Sequence, residues 1–254
     1  MEQSIIELQP RLTKHFAKLV DNKKLAHAYL FSGPRGTGKN KLAHWVAQAV
    51  FCKQKQNGYP CLKCNECRRI AQNNQPDVVE IKPEGNSIKV DQIRYLKAEF
   101  VKSGVESNRK LFIIQNAEKM TISAANSLLK FLEEPSGDVT AFLLTDSVNQ
   151  ILPTIISRCQ LVELSSLTLK KLVARLETKG IGADKANLLA HLTNSQKEAQ
   201  ELDGDEDFNK LLANVWEWFN QVLRNDWRAF VGVQTKLMPY ATDKTSQDRL
   251  LQLI

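Results

Sequence analysis

The sequence predicts an α/β fold built on a parallel sheet and followed by an all-helical region. Three observations carry this. Short apolar segments alternate with segments of helical periodicity over about the first 165 residues. A Gly-rich run, Gly33-Pro34-Arg35-Gly36-Thr37-Gly38-Lys39-Asn40, sits between one such strand and one such helix. Beyond that point the strand signals stop and only helical periods remain.

The elements follow in order. Ala28-Tyr29-Leu30-Phe31 is a short apolar strand, and residues 39–51 form a helix with Leu42, Ala43, Val46, Ala47 and Val50 on one face. A cysteine-rich insertion over 52–67 comes next. Residues 78–81 form a second strand, and 90–101 a helix with Ile93, Leu96, Lys97 and Phe100 at helical spacing. Leu111-Phe112-Ile113-Ile114 is apolar throughout, as a strand covered on both faces requires. Residues 123–134 form a helix with Ala124, Ala125, Leu128, Leu129 and Leu132 inward, stopped by Pro135. Residues 141–145 and 160–164 complete the strands. Three short helices are expected over 167–179, 184–192 and 195–202, then an acidic linker at 203–207, then helices over 208–223 and 227–237. The large apolar residues of this last part, Trp216, Trp218, Phe219, Trp227 and Phe230, lie at helical spacing, which suits a core and not a base-stacking platform. The chain is expected to end inside an unfinished helical domain.

The 254 residues carry 35 Lys+Arg against 28 Asp+Glu, a net charge of +7, with 43% hydrophobic and 25% charged residues. These values exclude a disordered chain, a collagen-like chain and a disulfide-rich miniprotein. No apolar run approaches the ~20 residues needed to span a bilayer. Residues 1–7, Met1-Glu2-Gln3-Ser4-Ile5-Ile6-Glu7, lack the features of a signal peptide, so a cytoplasmic protein without membrane contact is expected. Residues 1–75 hold 13 basic and 4 acidic side chains (+9), and residues 76–254 hold 22 and 24 (−2). The basic third suits an anionic partner such as nucleotide or DNA, or else a solvated surface.

Four of the five cysteines, Cys52, Cys61, Cys64 and Cys67, follow the pattern C-x8-C-x2-C-x2-C. In a cytosolic chain such clustering points to a metal and not to disulfides. Two overlapping C-x2-C turns, closed by Cys52 at the end of the preceding helix, suit one tetrahedral Zn²⁺. Four protein ligands leave no open position, so the site would be structural. Lys53, Lys55, Lys63, Arg68 and Arg69 are near enough in sequence to offset the thiolate charge. Cys159 stands apart as an ordinary thiol.

The run from Gly33 to Asn40 fits the phosphate-loop pattern G-x4-G-K. Glycines let backbone N–H groups close on phosphate oxygens, and Lys39 reaches the β- and γ-phosphates. Asn40 stands where a Ser or Thr hydroxyl would bind Mg²⁺, which compromises metal coordination. Hydrolysis also needs acids after a later buried strand, one for the metal and one for water. After residues 111–114 those positions hold Gln115 and Asn116, and neither amide carries charge. Glu118 is expected to point elsewhere. Losing a catalytic base alone costs typically 10²–10⁴-fold. The loop is therefore expected to hold ATP or ADP without efficient hydrolysis, or to persist as a turn alone.

These residues resemble a known family. The run from His27 to Lys39, and the four-cysteine insertion directly after the following helix, look like the start of an AAA+ clamp-loader subunit of bacterial DNA polymerase III. Ala124-Ala125-Asn126-Ser127-Leu128-Leu129-Lys130-Phe131-Leu132-Glu133-Glu134-Pro135 and Ile151-Leu152-Pro153-Thr154-Ile155-Ile156-Ser157-Arg158-Cys159 are similar to its two most recognisable later segments. Within the family the eroded acids match the non-hydrolysing branch and not the gamma/tau ATPases. The resemblance implies an AAA+ domain over 1–165 with a zinc module at 52–67, a helical lid over 166–204 and part of a helical collar over 208–254. It implies a stator in a five-subunit ring that loads a sliding clamp on primed DNA, with gamma/tau ATPase subunits and a delta subunit as neighbours. It also gives Arg158 a role, as a finger that reaches the γ-phosphate held by a neighbouring subunit. An always-charged planar fork suits that task. Read without the family, Arg158 would form a local ion pair, for instance with Glu163. In the lid, relatives often carry a basic residue on the helix after a Gly-Ser-rich turn; here the segment reads Asn194-Ser195-Gln196-Lys197, and Lys197 is expected to be a plain surface lysine, with that residue's role as the alternative. In the segment Thr145-Asp146-Ser147-Val148-Asn149, the residue that faces the nucleotide is not assigned.

Two other functions fit parts of the sequence. An active gamma/tau-type ATPase is opposed by Asn40, Gln115 and Asn116. A zinc-stabilised nucleic-acid-binding protein without a ring would use the basic N-terminal third and would bind DNA with steep salt dependence.

Overall fold

A computed structural model describes residues 4–101, 109–133 and 137–254. Residues 1–3, Glu134 with the helix-stopping Pro135, and the Phe100 side chain lie outside the described residues. The chain divides into two compact units, Met1–Ser166 and Leu167–Ile254.

The first unit begins with α1 (Ile5–Leu8) and α2 (Pro10–Asp21), which the sequence reading did not anticipate. The signal was present. Thr13, Phe16, Ala17 and Val20 are buried at positions i, i+3, i+4 and i+7 of α2, and Pro10 occupies its first turn. Then follow β1 (Ala28–Ser32), α3 (Lys39–Phe51), α4 (Asn65–Ala71), β2 (Val78–Ile81), α5 (Val90–Val101), β3 (Arg109–Ile114), α6 (Ile122–Glu133), β4 (Asp138–Thr145), α7 (Pro153–Ile156) and β5 (Gln160–Glu163). The strands form one parallel sheet in the order β2-β3-β4-β1-β5.

Both faces of this sheet are covered, which is why its central strands are apolar at consecutive positions. Tyr29, Phe31, Leu111, Ile113, Phe142 and Leu144 point to one side, against Phe16 of α2 and Leu42 and Val46 of α3. Ala28, Leu30, Phe112, Ile114, Ala141 and Leu143 point to the other, against Leu96 of α5 and Leu128 of α6. On the first side Phe16, Tyr29, Phe31 and Phe142 form one aromatic cluster, with Phe16 edge-on to Tyr29 at 5.1 Å and Tyr29 stacked on Phe142 at 5.5 Å. The register sets Ser32 of β1 beside Thr145 of β4 and Glu163 of β5. The carboxyl ends of the central strands therefore lie together, where open α/β sheets carry their ligands.

The second unit consists of α8 (Leu169–Glu177), α9 (Ala183–Leu192), α10 (Gln196–Gly204), α11 (Glu206–Leu223), α12 (Arg228–Gly232) and α13 (Lys244–Leu253). Its two cores centre on Leu172, Leu176, Leu189 and Phe208, and on Leu211, Val215, Leu237 and Leu250. Three expectations are corrected here. The acidic stretch 203–207 is a tight helix junction and not a linker. Asp205 caps α11, accepting from the backbone N–H groups of Asp207 and Phe208, and acids suit that position at a helix start. The helix expected over 227–237 is only five residues long, and a π-helical turn (Val233–Leu237) and a 3₁₀ turn (Met238–Tyr240) follow it. Pro239, which lacks an N–H, stands in that last turn.

The third correction concerns the aromatic residues. Trp216, Trp227 and Phe230 are 69%, 75% and 87% exposed, so they are not core. The reason is that α11 carries two apolar stripes. Phe208, Leu211 and Val215 take the buried face, and Trp216, Phe219 and Leu223 lie on a different one.

Phe142→Ala should destabilise the first unit by about 3–5 kcal/mol, because it empties the centre of the aromatic cluster. Trp216→Ala should change stability by less than about 0.5 kcal/mol. Urea unfolding of both variants checks the pair.

Candidate functional site

The Gly-rich loop that the sequence marks as a phosphate loop links β1 to α3; Gly33, Pro34, Arg35, Gly36, Thr37 and Gly38 form it, and Lys39 and Asn40 open α3. Gly38 has φ +86°, and a Cβ there would sit 2.6 Å from Leu8 Cδ2 and 2.9 Å from Ile5 Cδ1. Only glycine fits both the left-handed backbone and the close approach of α1. Thr37 is buried, and its hydroxyl donates to the Pro34 carbonyl at 2.9 Å. The buried Gln9 donates to the carbonyls of Thr37 (2.9 Å) and Ser165 (2.8 Å), tying the N-terminal segment to the loop and to the chain beyond β5. The Asn40 side chain is exposed, and the backbone carbonyl of Asn40 meets His44 Nδ1 at 2.9 Å.

Lys39 Nζ donates to the carbonyls of Gly33 and Pro34 and lies 2.7 Å from Asp146 Oδ1. Arg35 Nε lies 3.3 Å from Asp146 Oδ2. In the segment that follows β4, one side chain meets the loop. Asp146 faces the loop, whereas the Thr145 hydroxyl is occupied with the backbone of Ser147.

Gln115 and Asn116 follow β3 at the same end of the sheet. The Gln115 amide donates to Glu80 Oε1 on the neighbouring β2, and Glu80 also faces Lys82 at 3.4 Å and His44 at 3.9 Å. Asn116, at φ +49°, donates to Glu118 at 3.3 Å, so Glu118 turns back onto Asn116. A cleft of 720 Å³ opens along β2 and is lined by Ile70, Glu80, Ile81 and Tyr95. It shares Glu80 with this region but no residue of the phosphate loop.

Arg158 follows α7. Its Nη1 donates to the Thr154 carbonyl at 2.8 Å, and its Nη2 lies 2.5 Å from Glu133 Oε1 at the end of α6. Its ion-pair partner is thus Glu133 and not Glu163. Lys197 forms an exposed pair with Glu201, at 3.6 Å.

The four cysteines come together as the spacing requires. Cys52 caps the end of α3, Cys64 caps the start of α4, and Cys67 lies in the first turn of α4. All four sulfurs lie within 4.8 Å of one another, and Cys52 and Cys64 are 3.9 Å apart. Tetrahedral Zn–S bonds of ~2.3 Å imply sulfur separations of about 3.8 Å, so the donors fit such an ion. The backbone N–H groups of Cys61 and Cys64 point at Cys52 and Cys61 sulfurs, each at 3.3 Å. N–H groups of Lys63 and Cys64 lower the Cys61 thiol pKa to about 6, while burial raises those of Cys52 and Cys67. The nearby cations are less available than the sequence suggests. Lys53 and Arg69 both face the buried Glu66, at 3.4 and 3.9 Å. Cys159 lies outside the cluster, and burial raises its pKa to about 12.

Sequence reasoning missed Gln9, Glu80 and Glu133 as partners of the site. Each acts across a long sequence separation, up to 156 residues for Gln9 with Ser165, and no local pattern marks such pairs.

The family model described as DNA polymerase III, delta subunit, matches residues 8–168. DNA polymerase III subunit delta′ of Bacillus subtilis is 41% identical over 248 residues, covering 98% of this chain and 75% of the relative. DNA polymerase III subunit tau of the same organism is 39% identical over 170 residues, 66% of this chain and 30% of the relative. A crystal structure of a DNA polymerase III gamma subunit-related protein from Thermotoga maritima has a similar fold, with a TM-score of 0.53 and 20% identity, covering 95% of this chain and 82% of that one.

Metal analysis of the purified chain should give about one thiophilic ion per molecule, and Cys64→Ser should lower both that content and the melting temperature. Cys159 in the metal-loaded chain should react with iodoacetamide at pH 8 about 10³-fold more slowly than a free thiol, since the thiolate is the nucleophile. Peptide mapping by mass spectrometry checks this.

Proposed function

The chain belongs to the family of DNA polymerase III delta′ subunits, and on that basis we propose that it is the non-hydrolysing stator of a clamp loader. It would act with gamma/tau ATPase subunits and a delta subunit, and load a sliding clamp on primed DNA in the cytoplasm. The isolated chain would be no enzyme, but a non-catalytic part of the polymerase holoenzyme.

One observation carries the non-hydrolysing reading. A complete G-x4-G-K loop follows β1, and at the same end of the sheet β3 is followed by amides, Gln115 and Asn116, and not by acids. Hydrolysis of a nucleoside triphosphate needs a carboxylate for Mg²⁺ and a base for water. Neither amide serves, and Asn40 replaces the metal-binding hydroxyl. ATP or ADP held here would stay intact.

Arg158 is the group this subunit would lend. Its side chain is 34% exposed, and besides hydrogen bonds to the Thr154 carbonyl and the Ser157 hydroxyl it makes one surface ion pair, with Glu133, worth about 0–1 kcal/mol. A neighbour's γ-phosphate could replace Glu133 at small cost. The four cysteines would hold a structural Zn²⁺ that joins α3 to α4. We read residues 166–204 as the lid and 208–254 as part of the collar.

The alternative, an ATP-hydrolysing gamma/tau-type subunit, has one observation in its favour. Glu80 brings a carboxylate to Gln115. That carboxylate already faces Lys82 and His44, so it supplies neither a free metal ligand nor a free base.

The test is ATP turnover by the reconstituted loader with clamp and primed DNA. Arg158→Ala should slow hydrolysis at the adjoining site by about 10³-fold or more. Lys39→Ala should leave turnover within about twofold, since this loop hydrolyses nothing. A severe loss with Lys39→Ala and none with Arg158→Ala would make this subunit a motor.

A further inference from the structure

The phosphate loop meets an anion of its own chain. Asp146 directly follows β4, beside the first glycine of the loop, whose N–H bonds to the Thr145 carbonyl at 3.3 Å. Each carboxylate oxygen of Asp146 faces one loop cation, Lys39 at 2.7 Å and Arg35 at 3.3 Å. An ammonium has three N–H donors. Those of Lys39 are matched by Asp146 and by the carbonyls of Gly33 and Pro34. No donor of Lys39 is left for a phosphate. Its side chain is only 11% exposed, so solvent screens the pair weakly.

A phosphate entering this loop would also stand against the Asp146 carboxylate. In an intact site a divalent cation held by an acid and a hydroxyl offsets such crowding of negative charge. Here the corresponding positions hold Gln115, Asn116 and Asn40, and none of them carries charge. These side chains provide no divalent cation to offset the repulsion between Asp146 and a phosphate, and Asp146 and the phosphate would compete for Lys39 and Arg35.

We infer that Asp146 is an internal substitute for phosphate, which latches the loop in a closed, nucleotide-free state and sets its affinity for polyphosphates. This rests on reading residues 33–40 as a phosphate loop. The ligand class excluded is the di- or triphosphate group, whether carried by a nucleoside or free as pyrophosphate. The latch gives the loop a structural use. Lys39 joins the loop to the end of β4 without any nucleotide, which keeps this subunit in one shape while its neighbours bind and release ATP.

The test is calorimetric titration of the full chain with ADP in EDTA, with ADP and Mg²⁺, and with pyrophosphate. Wild type is compared with Asp146→Asn, Asp146→Ala and the double variant Asp146→Asn/Lys39→Ala, each first shown by circular dichroism to be folded. The single variants should bind ADP and pyrophosphate at least about tenfold more tightly than wild type, with or without Mg²⁺, and the Lys39 change should abolish the gain. A gain confined to ADP would overturn the inference, as would equal or weaker binding by both single variants. If wild type itself binds tightly and the variants match it, the latch fails while the phosphate-loop reading stands. If no protein binds either probe, both fail.

Discussion

The parallel pairing of β1 between β4 and β5 is the constraint on which the rest of the first unit depends. It sets Ser32 level with Thr145 and Glu163, so three strands deliver their carboxyl ends to one place. From those ends come the phosphate loop and Asp146, and Gln115 and Asn116 follow from β3 beside them. The pairing is held by burial on both faces. Phe16, Tyr29, Phe31 and Phe142 lock one side, and the apolar faces of α5 and α6 lock the other. A slip of one residue in β1 would exchange these two sets of side chains and carry the loop out of line with Asp146.

Charge at that edge is arranged differently from the pattern expected of a hydrolytic site. The acids are present but displaced. Asp146 faces the loop cations, Glu80 lies one strand away from Gln115, and Glu118 is bonded to Asn116. Each is occupied by a neighbour within the chain. On the proposed reading, such an arrangement would keep the shape of a nucleotide site and remove its means of handling metal and water. In the proposed role this is an advantage, because a stator needs the fold and Arg158 but no cycle of its own.

Much of this was legible in the sequence. The G-x4-G-K loop, the four cysteines and the buried strands all rest on local spacing, and local spacing survives folding. The Gln115-Asn116 pair was legible because it directly follows an apolar strand. Asp146, Glu80 and Glu133 were not, because each meets its partner across the sheet or between helices. Asp146 and Arg35 are 111 residues apart in sequence. The aromatic residues of α11 and α12 misled for a different reason. Helical spacing shows that residues share a stripe, but not that anything in the unit covers it. The acidic stretch near residue 205 read as a linker because charge was counted without asking which backbone N–H groups it could cap.

The most direct test of the central claim is a structure of the assembled loader with Mg²⁺, clamp, primed DNA and a beryllium-fluoride analogue of ATP. The expected map has the analogue in a neighbouring subunit, with the Arg158 guanidinium about 3 Å from its γ-phosphate mimic. Asp146 remains on Lys39 in this subunit, and no Mg²⁺ lies between Asn40 and Gln115. A map with Mg²⁺ and the analogue in this subunit's own loop, and with Arg158 still bound to Glu133, would contradict it.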